Sequence, residues 1–246
     1  MKFIQFSFFP LFILAMMTTS SCQTQTVNGL PSTNFFEIST SMGTMVIELY
    51  DDTPVHRDNF KKLANEGFFD GTTFHRVIGG FMIQGGDPNS KDDDPTNDGS
   101  GGPGYTLPAE ILPGRYHKRG ALATARSGDN MNPERESNGS QFYIVHGSIY
   151  PEEFLDQLQS RAQQMIPDST FEYSAEARAT YMNEGGAPML DGMYTVFGEL
   201  VEGYEVLDRI TRVLTPNRAG QRGSPMGDMP MVEVKMEVRP LPGYDR

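Results

Sequence analysis

The chain has 246 residues, with 32 acidic against 20 basic side chains and a formal net charge of −12, a balance that disfavours nucleic acid as a partner. A single cysteine excludes an internal disulfide framework, so a hydrophobic core has to carry the stability. Hydrophobic residues make up 37% of the chain, which over roughly 200 residues suffices for one domain.

Lys2 precedes an apolar run, Phe3 to Met17, which leads through Thr18-Thr19-Ser20-Ser21 to Cys22. A basic residue, an apolar stretch and small residues follow the order of a secretory signal. About 15 apolar residues are short for a bilayer span. The segment resembles a bacterial lipoprotein signal, cleaved ahead of a cysteine that is then lipidated, although Thr19 stands where such signals usually carry Leu. An ordinary secretory peptide with an incidental Cys22 is the other reading. The resemblance implies a signal peptide over 1–21 and a lipidated Cys22 opening a flexible tether over 22–34. It also implies a periplasmic protein, lipid-anchored to a bacterial membrane, with the outer membrane as the expected one.

Phe35 to Thr40 and Thr44 to Leu49 read as a β-hairpin about Ser41-Met42-Gly43. Thr53-Pro54 opens a helix, with Thr as cap and Pro at the first position. Val55, Asn59, Phe60, Leu63 and Ala64 share its face, and Gly67 stops it. Thr73 to Ile78 and Phe81 to Gln84 read as strands joined by a tight Gly79-Gly80 turn. On the strand period of two, Phe74, Arg76 and Ile78 share a face, Met82 and Gln84 share another, and Phe81 and Ile83 point oppositely. A cation, an amide, a Met and several Phe thus lie close together, with no nucleophile or phosphate cradle. Such a site can bind an apolar group and steady a neighbouring amide.

Asn89 to Gly104 is an acidic loop. Asp94-x-Thr96-x-Asp98-Gly99 partly mimics a calcium loop, but Tyr105 occupies the twelfth position, where a Glu is needed. It reads as a solvated loop. Gly120 to Thr124, Gln141 to Val145 and Thr195 to Glu199 read as strands. Pro151 to Ile166 has helical period, aligning Phe154, Leu158, Ala162 and Met165, and Ser174 to Asn183 reads as a second short helix. Tyr204 to Arg212 reads as a helix, and Met231 to Arg239 alternates as a half-buried closing strand. His56, His117 and His146 form no ligand spacing.

Three stretches carry a family resemblance. Phe74 to Pro88, FHRVIGGFMIQGGDP, resembles the signature of cyclophilin-type peptidyl-prolyl isomerases. Ser137 to Ile144, SNGSQFYI, resembles the family's NGSQFFI strand, and Leu190-Asp191-Gly192 with Val196-Phe197-Gly198-Glu199 resembles its LDG and VFG block. The resemblance implies a mainly β domain over 35–240, a closed eight-stranded antiparallel barrel capped by two helices. A two-helix insertion, about 148–186, interrupts it. It also implies an isomerase without cofactor or metal, acting as a monomer on proline-containing polypeptides, exported or unfolded.

The implied site residues follow position by position. Arg76 matches the catalytic arginine, Phe81 the residue under the proline ring, and Gln84 the amide that positions the substrate backbone. Met82, Tyr143 and Leu190 match the proline pocket and Gln141 a second polar residue of it. Ala125 and Arg126 match the edge that pairs with the substrate strand. Met189 stands where cyclosporin-sensitive members carry Trp, and Tyr194 where many carry His, so weak cyclosporin binding is expected. His75 neighbours Arg76 but is expected on the other face, in a structural role. The alternative is a non-catalytic peptide-binding or chaperone module on the same fold.

Overall fold

The computed structural model describes residues 26–27, 30–166, 170–221, 223–224 and 226–244. The signal segment over 1–21 and Cys22 lie outside the described residues. Within the expected tether, β1 (Thr26–Val27) pairs with β2 (Leu30–Pro31). The residues between them in the sequence, Asn28-Gly29, are a strong hairpin signal.

β3 (Phe35–Thr40) and β4 (Gly43–Leu49) form the expected hairpin, with Phe36, Ile38, Met45, Ile47 and Leu49 buried. α1 (Pro54–Asn65) follows and ends before Gly67, whose φ of 69° suits glycine. Its cap differs from expectation, because the Thr53 side chain makes no capping bond. The Glu110 carboxylate accepts the N–H groups of Val55 at 3.1 Å and His56 at 3.0 Å instead. An anion from a distant loop thereby serves the positive end of the helix.

β5 (Arg76–Ile78) is shorter than the sequence pattern suggests, and β6 (Met82–Gly85) keeps the expected length but starts one residue later. Ile78 pairs with Met82, so the turn spans Gly79, Gly80 and Phe81. β7 (Thr106–Leu107) pairs with β9 (Ser137–Asn138) in a small separate ladder, while β8 (Ala121–Thr124) and β10 (Phe142–Val145) are central strands. The insertion contributes α2 (Glu152–Met165) and α3 (Ala175–Asn183). β11 (Val196–Glu202), α4 (Tyr204–Ile210) and β12 (Met236–Pro240) complete the chain.

The main sheet is antiparallel, in the order β12-β3-β4-β11-β8-β10-β6-β5. It is a curled half-barrel and not the closed barrel expected. Among the described residues no ladder joins the two edges, which meet at an isolated bridge, Thr73 with Lys235. Met236 N–H bonds Thr72 O at 2.8 Å and Phe74 N–H bonds Val234 O at 3.0 Å, so these contacts are used up before β5 begins. The closing strand is correspondingly shorter than Met231 to Arg239. Val234, Met236 and Val238 face inward, whereas Val232 is 70% exposed.

Phe60 of α1 lies at the centre of the core, with ring centroids 5.0–5.8 Å from Phe36, Phe69, Phe142 and Phe197. Val206, Leu207 and Ile210 of α4 enter the same core. The inserted helices form their own cluster of Leu155, Leu158, Tyr173, Ala177 and Tyr181. The buried stripe of α2 runs through Leu155, Leu158 and Ala162, so Leu158 and Ala162 lie on the buried face as expected and Leu155 joins them in place of Phe154 and Met165. Phe154 (39% exposed) and Met165 (53%) face outward, and Phe154 stacks on Tyr150 at 5.3 Å.

Candidate active site

Sheet register assembles the site. Gln84 on β6 lies opposite Arg76 on one side and Tyr143 of β10 on the other. Side chains of one row across neighbouring strands share a face. Arg76, Phe81, Met82, Gln84, Ala125, Arg126, Tyr143, Leu190 and Tyr194 therefore line one cleft of about 160 Å³. Two alternation-based expectations fail here. Phe81 sits in the turn, free of the strand period, and joins Met82 at the cleft. Phe74 precedes β5 and turns into the main core, away from Arg76.

A chain of amides supports the guanidinium. Arg76 Nη1 donates to Gln84 Oε1 at 3.3 Å, and Gln84 Nε2 donates to Gln141 Oε1 at 3.0 Å. Gln141 Nε2 reaches the carbonyls of Gly99 at 3.0 Å and Gly101 at 2.8 Å. Gln141 thus stands behind the cleft and does not line it. Buried Asp87 accepts the Gly101 N–H at 3.0 Å, and Gly101 packs so tightly on Asp87 and Asn89 that a side chain there would collide. Arg76 Nε is 3.8 Å from Asp228 Oδ2, and its side chain stays 45% exposed.

Arg126 is largely occupied. Its Nε donates to Met193 O at 2.9 Å, its Nη1 pairs with Asp129 at 2.6 Å, and its guanidinium lies 4.4 Å from the Tyr194 ring centre. Ala125 bonds by its N–H to Gln141 O and by its carbonyl to the Asn138 N–H, leaving no N–H free for a bound strand. Met189 also misses the cleft wall and packs between the cleft cluster and the inserted helices.

The histidines left unassigned by spacing all have partners from distant sequence. His56 lies 2.6 Å from Glu110 and 2.9 Å from Ser137 Oγ. His146 Nδ1 accepts the Gly80 N–H at 3.0 Å, while the backbone N–H groups of His146 and Gly147 hold Phe81 O, so this segment fixes the cleft turn. His117 bonds Asp191 and Tyr143 directly behind the cleft. His75 does lie away from Arg76's cleft. It faces a separate cavity of about 290 Å³ with neither ring nitrogen hydrogen-bonded.

A larger hollow of about 850 Å³ lies beyond the turn, among Gly79, Arg119, His146 and Arg212. Arg119 is ion-paired there with Asp208 and lies 5.7 Å from the Tyr204 ring centre, but no Phe or Tyr lines the hollow to receive an apolar ring. The smaller cleft combines a guanidinium, an amide and a wall with the aromatic rings of Phe81, Tyr143 and Tyr194.

Residues 35–236 match the family model described as cyclophilin type peptidyl-prolyl cis-trans isomerase/CLD. A Staphylococcus haemolyticus protein whose name proposes a peptidyl-prolyl cis-trans isomerase is 35% identical over 202 residues, covering 80% of this chain and 88% of that one. A Streptococcus pyogenes protein named as a proposed bifunctional phosphatase and isomerase is 39% identical over 184 residues, covering 72% of this chain but 34% of that longer one. Among solved structures, a Cryptosporidium parvum cyclophilin type peptidyl-prolyl cis-trans isomerase superposes with a TM-score of 0.59 at 24% identity, over 86% of this chain and 99% of its own. The match runs from β3 to the first residue of β12 and takes in β5, β6 and β10, which carry the cleft, and on that ground the chain belongs to the cyclophilin-type peptidyl-prolyl cis-trans isomerases.

Proposed function

We propose that Arg76 drives isomerisation by binding the twisted amide, with Gln84 aligning the substrate backbone and Phe81, Met82, Tyr143 and Leu190 holding the proline ring. Amide resonance sets a barrier of ~18–20 kcal/mol. At the twisted state resonance is lost, and the prolyl nitrogen regains a lone pair. A guanidinium aimed at that lone pair binds the twisted form more strongly than the planar one, which is differential binding. Lowering the barrier by about 7 kcal/mol gives about five powers of ten in rate. No nucleophile or proton transfer is needed. The observation that carries this reading is the Arg76–Gln84–Gln141 hydrogen-bonded row, which holds a half-exposed cation over an apolar wall. The related Cryptosporidium protein has a crystal structure in the presence of the dipeptide Ala-Pro, in keeping with proline-containing peptides as substrates here.

Arg76→Ala should lower kcat/KM by about 10²–10³-fold while melting temperature and peptide affinity stay close to wild type. Unchanged turnover in a folded variant would overturn the assignment.

The substrates proposed are unfolded or newly exported chains, met in the periplasm by a monomer lipid-anchored through Cys22. The support is the leader sequence and a cleft built from one chain. Cys22→Ser should move the protein from the membrane fraction to the soluble one with activity unaltered. Wild-type protein already soluble and unmodified by mass spectrometry contradicts the anchor. Weak cyclosporin inhibition is proposed as well, because the Met189 side chain has no hydrogen-bond donor and stands off the cleft wall.

A further inference from the structure

Buried polar side chains connect the inserted helices to the cleft, and apart from the ring of Tyr143 the isomerisation derived above does not use them. The Tyr143 hydroxyl lies 2.9 Å from His117 Nε2, and the two rings stack 6.0 Å apart at 12°. His117 Nδ1 lies 2.7 Å from Asp191 Oδ1, which also accepts the His117 backbone N–H at 2.8 Å. Asp191 Oδ2 accepts the Tyr181 hydroxyl at 2.5 Å. Tyr181 stands on α3, fully buried, and Gly186 passes so close to its ring that a side chain there would clash.

The direction of each bond follows from the groups. With the Asp191 carboxylate as acceptor His117 Nδ1 is the donor, and in the neutral imidazole Nε2 then accepts from Tyr143. Burial first, and then nearby Tyr194 and Asp191, hold the Tyr143 hydroxyl well above its ordinary pKa. Burial and Asp191 do the same for Tyr181, so both keep their protons. His117 and Asp191 are both buried, where an unmatched polar group is costly.

A satisfied network could serve folding alone. The two ends of this one argue for more. Tyr143 is a cleft wall, and Asp191 directly follows Leu190, another wall. The Tyr173 hydroxyl also holds the carbonyl of Pro188, at 2.6 Å, so the inserted segment grips the loop carrying Leu190 at two points.

We propose that Tyr181 is a positioning residue for prolyl-peptide binding. Through Asp191 and His117 it holds Tyr143 and Leu190 at the spacing that admits the proline ring. The inserted helices thereby become part of the binding apparatus of the enzyme. The proposal rests on the reading of this cleft as the proline site.

Ring-holding contacts act on planar and twisted substrate alike, so their loss should appear in KM and not in kcat. In Tyr181→Phe we expect KM for an Xaa-Pro peptide, and its Kd by titration, to rise about 3- to 10-fold with kcat unchanged. A purely structural tyrosine would lower the melting temperature and leave KM and Kd alone, and that result overturns the proposal. Tyr143→Phe breaks the chain at its other end and should raise KM by a similar factor. The double variant should add little, whereas additive effects would show two independent sites and overturn the coupling. If Tyr181→Phe does not fold, Tyr143→Phe decides, and unchanged KM and Kd there overturn the proposal. A wild type without turnover would refute the isomerase reading of the cleft, with the coupling then read from peptide Kd alone.

Discussion

The barrel core and the inserted cluster are built from different aromatic residues. The first is phenylalanine, with Phe36, Phe69, Phe142 and Phe197 each in ring contact with Phe60. The second is tyrosine, with Tyr116, Tyr173 and Tyr181 in edge contacts of 5.8–5.9 Å. Phenylalanine packs by shape and area, and it tolerates any neighbour that fills the space. A buried tyrosine also demands a partner for its hydroxyl. Tyr173 finds Pro188 O and Tyr181 finds Asp191, both on the loop that carries Leu190. The phenylalanine core therefore makes the fold stable, and the tyrosine cluster makes one loop position specific.

The sharpest way to break this contrast is Phe60→Ala. It opens a cavity among four ring neighbours and should cost about 3–5 kcal/mol in denaturant unfolding. A loss below about 1 kcal/mol would mean that the core is not centred there.

Next in size is a pH effect at the edge of the same core. Burial, only partly offset by Asp87, pushes His75 down to about 4. The folded pKa is below the unfolded one, so this contribution is present above about pH 6.5 and is lost as pH falls toward 4. The loss should reach about 3 kcal/mol. Asp98, on the same cavity, acts oppositely. Burial and neighbouring carboxylates raise it to about 6, so its ionisation weakens the fold as pH rises from 4 to 6. Comparing unfolding free energy against pH for wild type and His75→Gln isolates the histidine. Parallel curves would contradict its buried neutral state.

Tyr173→Phe should cost about 1 kcal/mol, because Pro188 O loses the shorter of its two hydrogen bonds and keeps the Asp191 N–H at 3.2 Å. A fully neutral result would reduce the tyrosine cluster to the same shape-filling role as the phenylalanines. The smallest effect is expected on the surface. Arg239 pairs with Asp70 through both terminal nitrogens, at 2.5 and 2.8 Å, but both side chains are well exposed. Arg239→Ala should change stability by about 1 kcal/mol or less, and the difference should shrink with added salt.

Local pattern was enough for the elements and for much of the cleft. Strand alternation in 35–49, the Pro54 helix start, the Gly67 stop and the shared face of Met82 and Gln84 depend on neighbours a few residues apart, and each is visible in the chain. The failures share one cause. Phe81 was assigned a face by a period that ends where the turn begins, and Phe74 by a strand that starts two residues later. The helix α1 cap is absent at Thr53 because Glu110 fills that role from another part of the chain. Nothing local marked Gln141 as a support standing behind Gln84, or the Tyr143–His117–Asp191–Tyr181 chain. His56 and Glu110 are 54 positions apart, Gly80 and His146 are 66 apart, and His117 and Asp191 are 74 apart. Periodicity records which side chains share a face of one element. Which faces then meet is decided by the curl and register of the sheet, because only a fixed tertiary frame can hold two short-range hydrogen-bonding groups from distant sequence within 3 Å of each other.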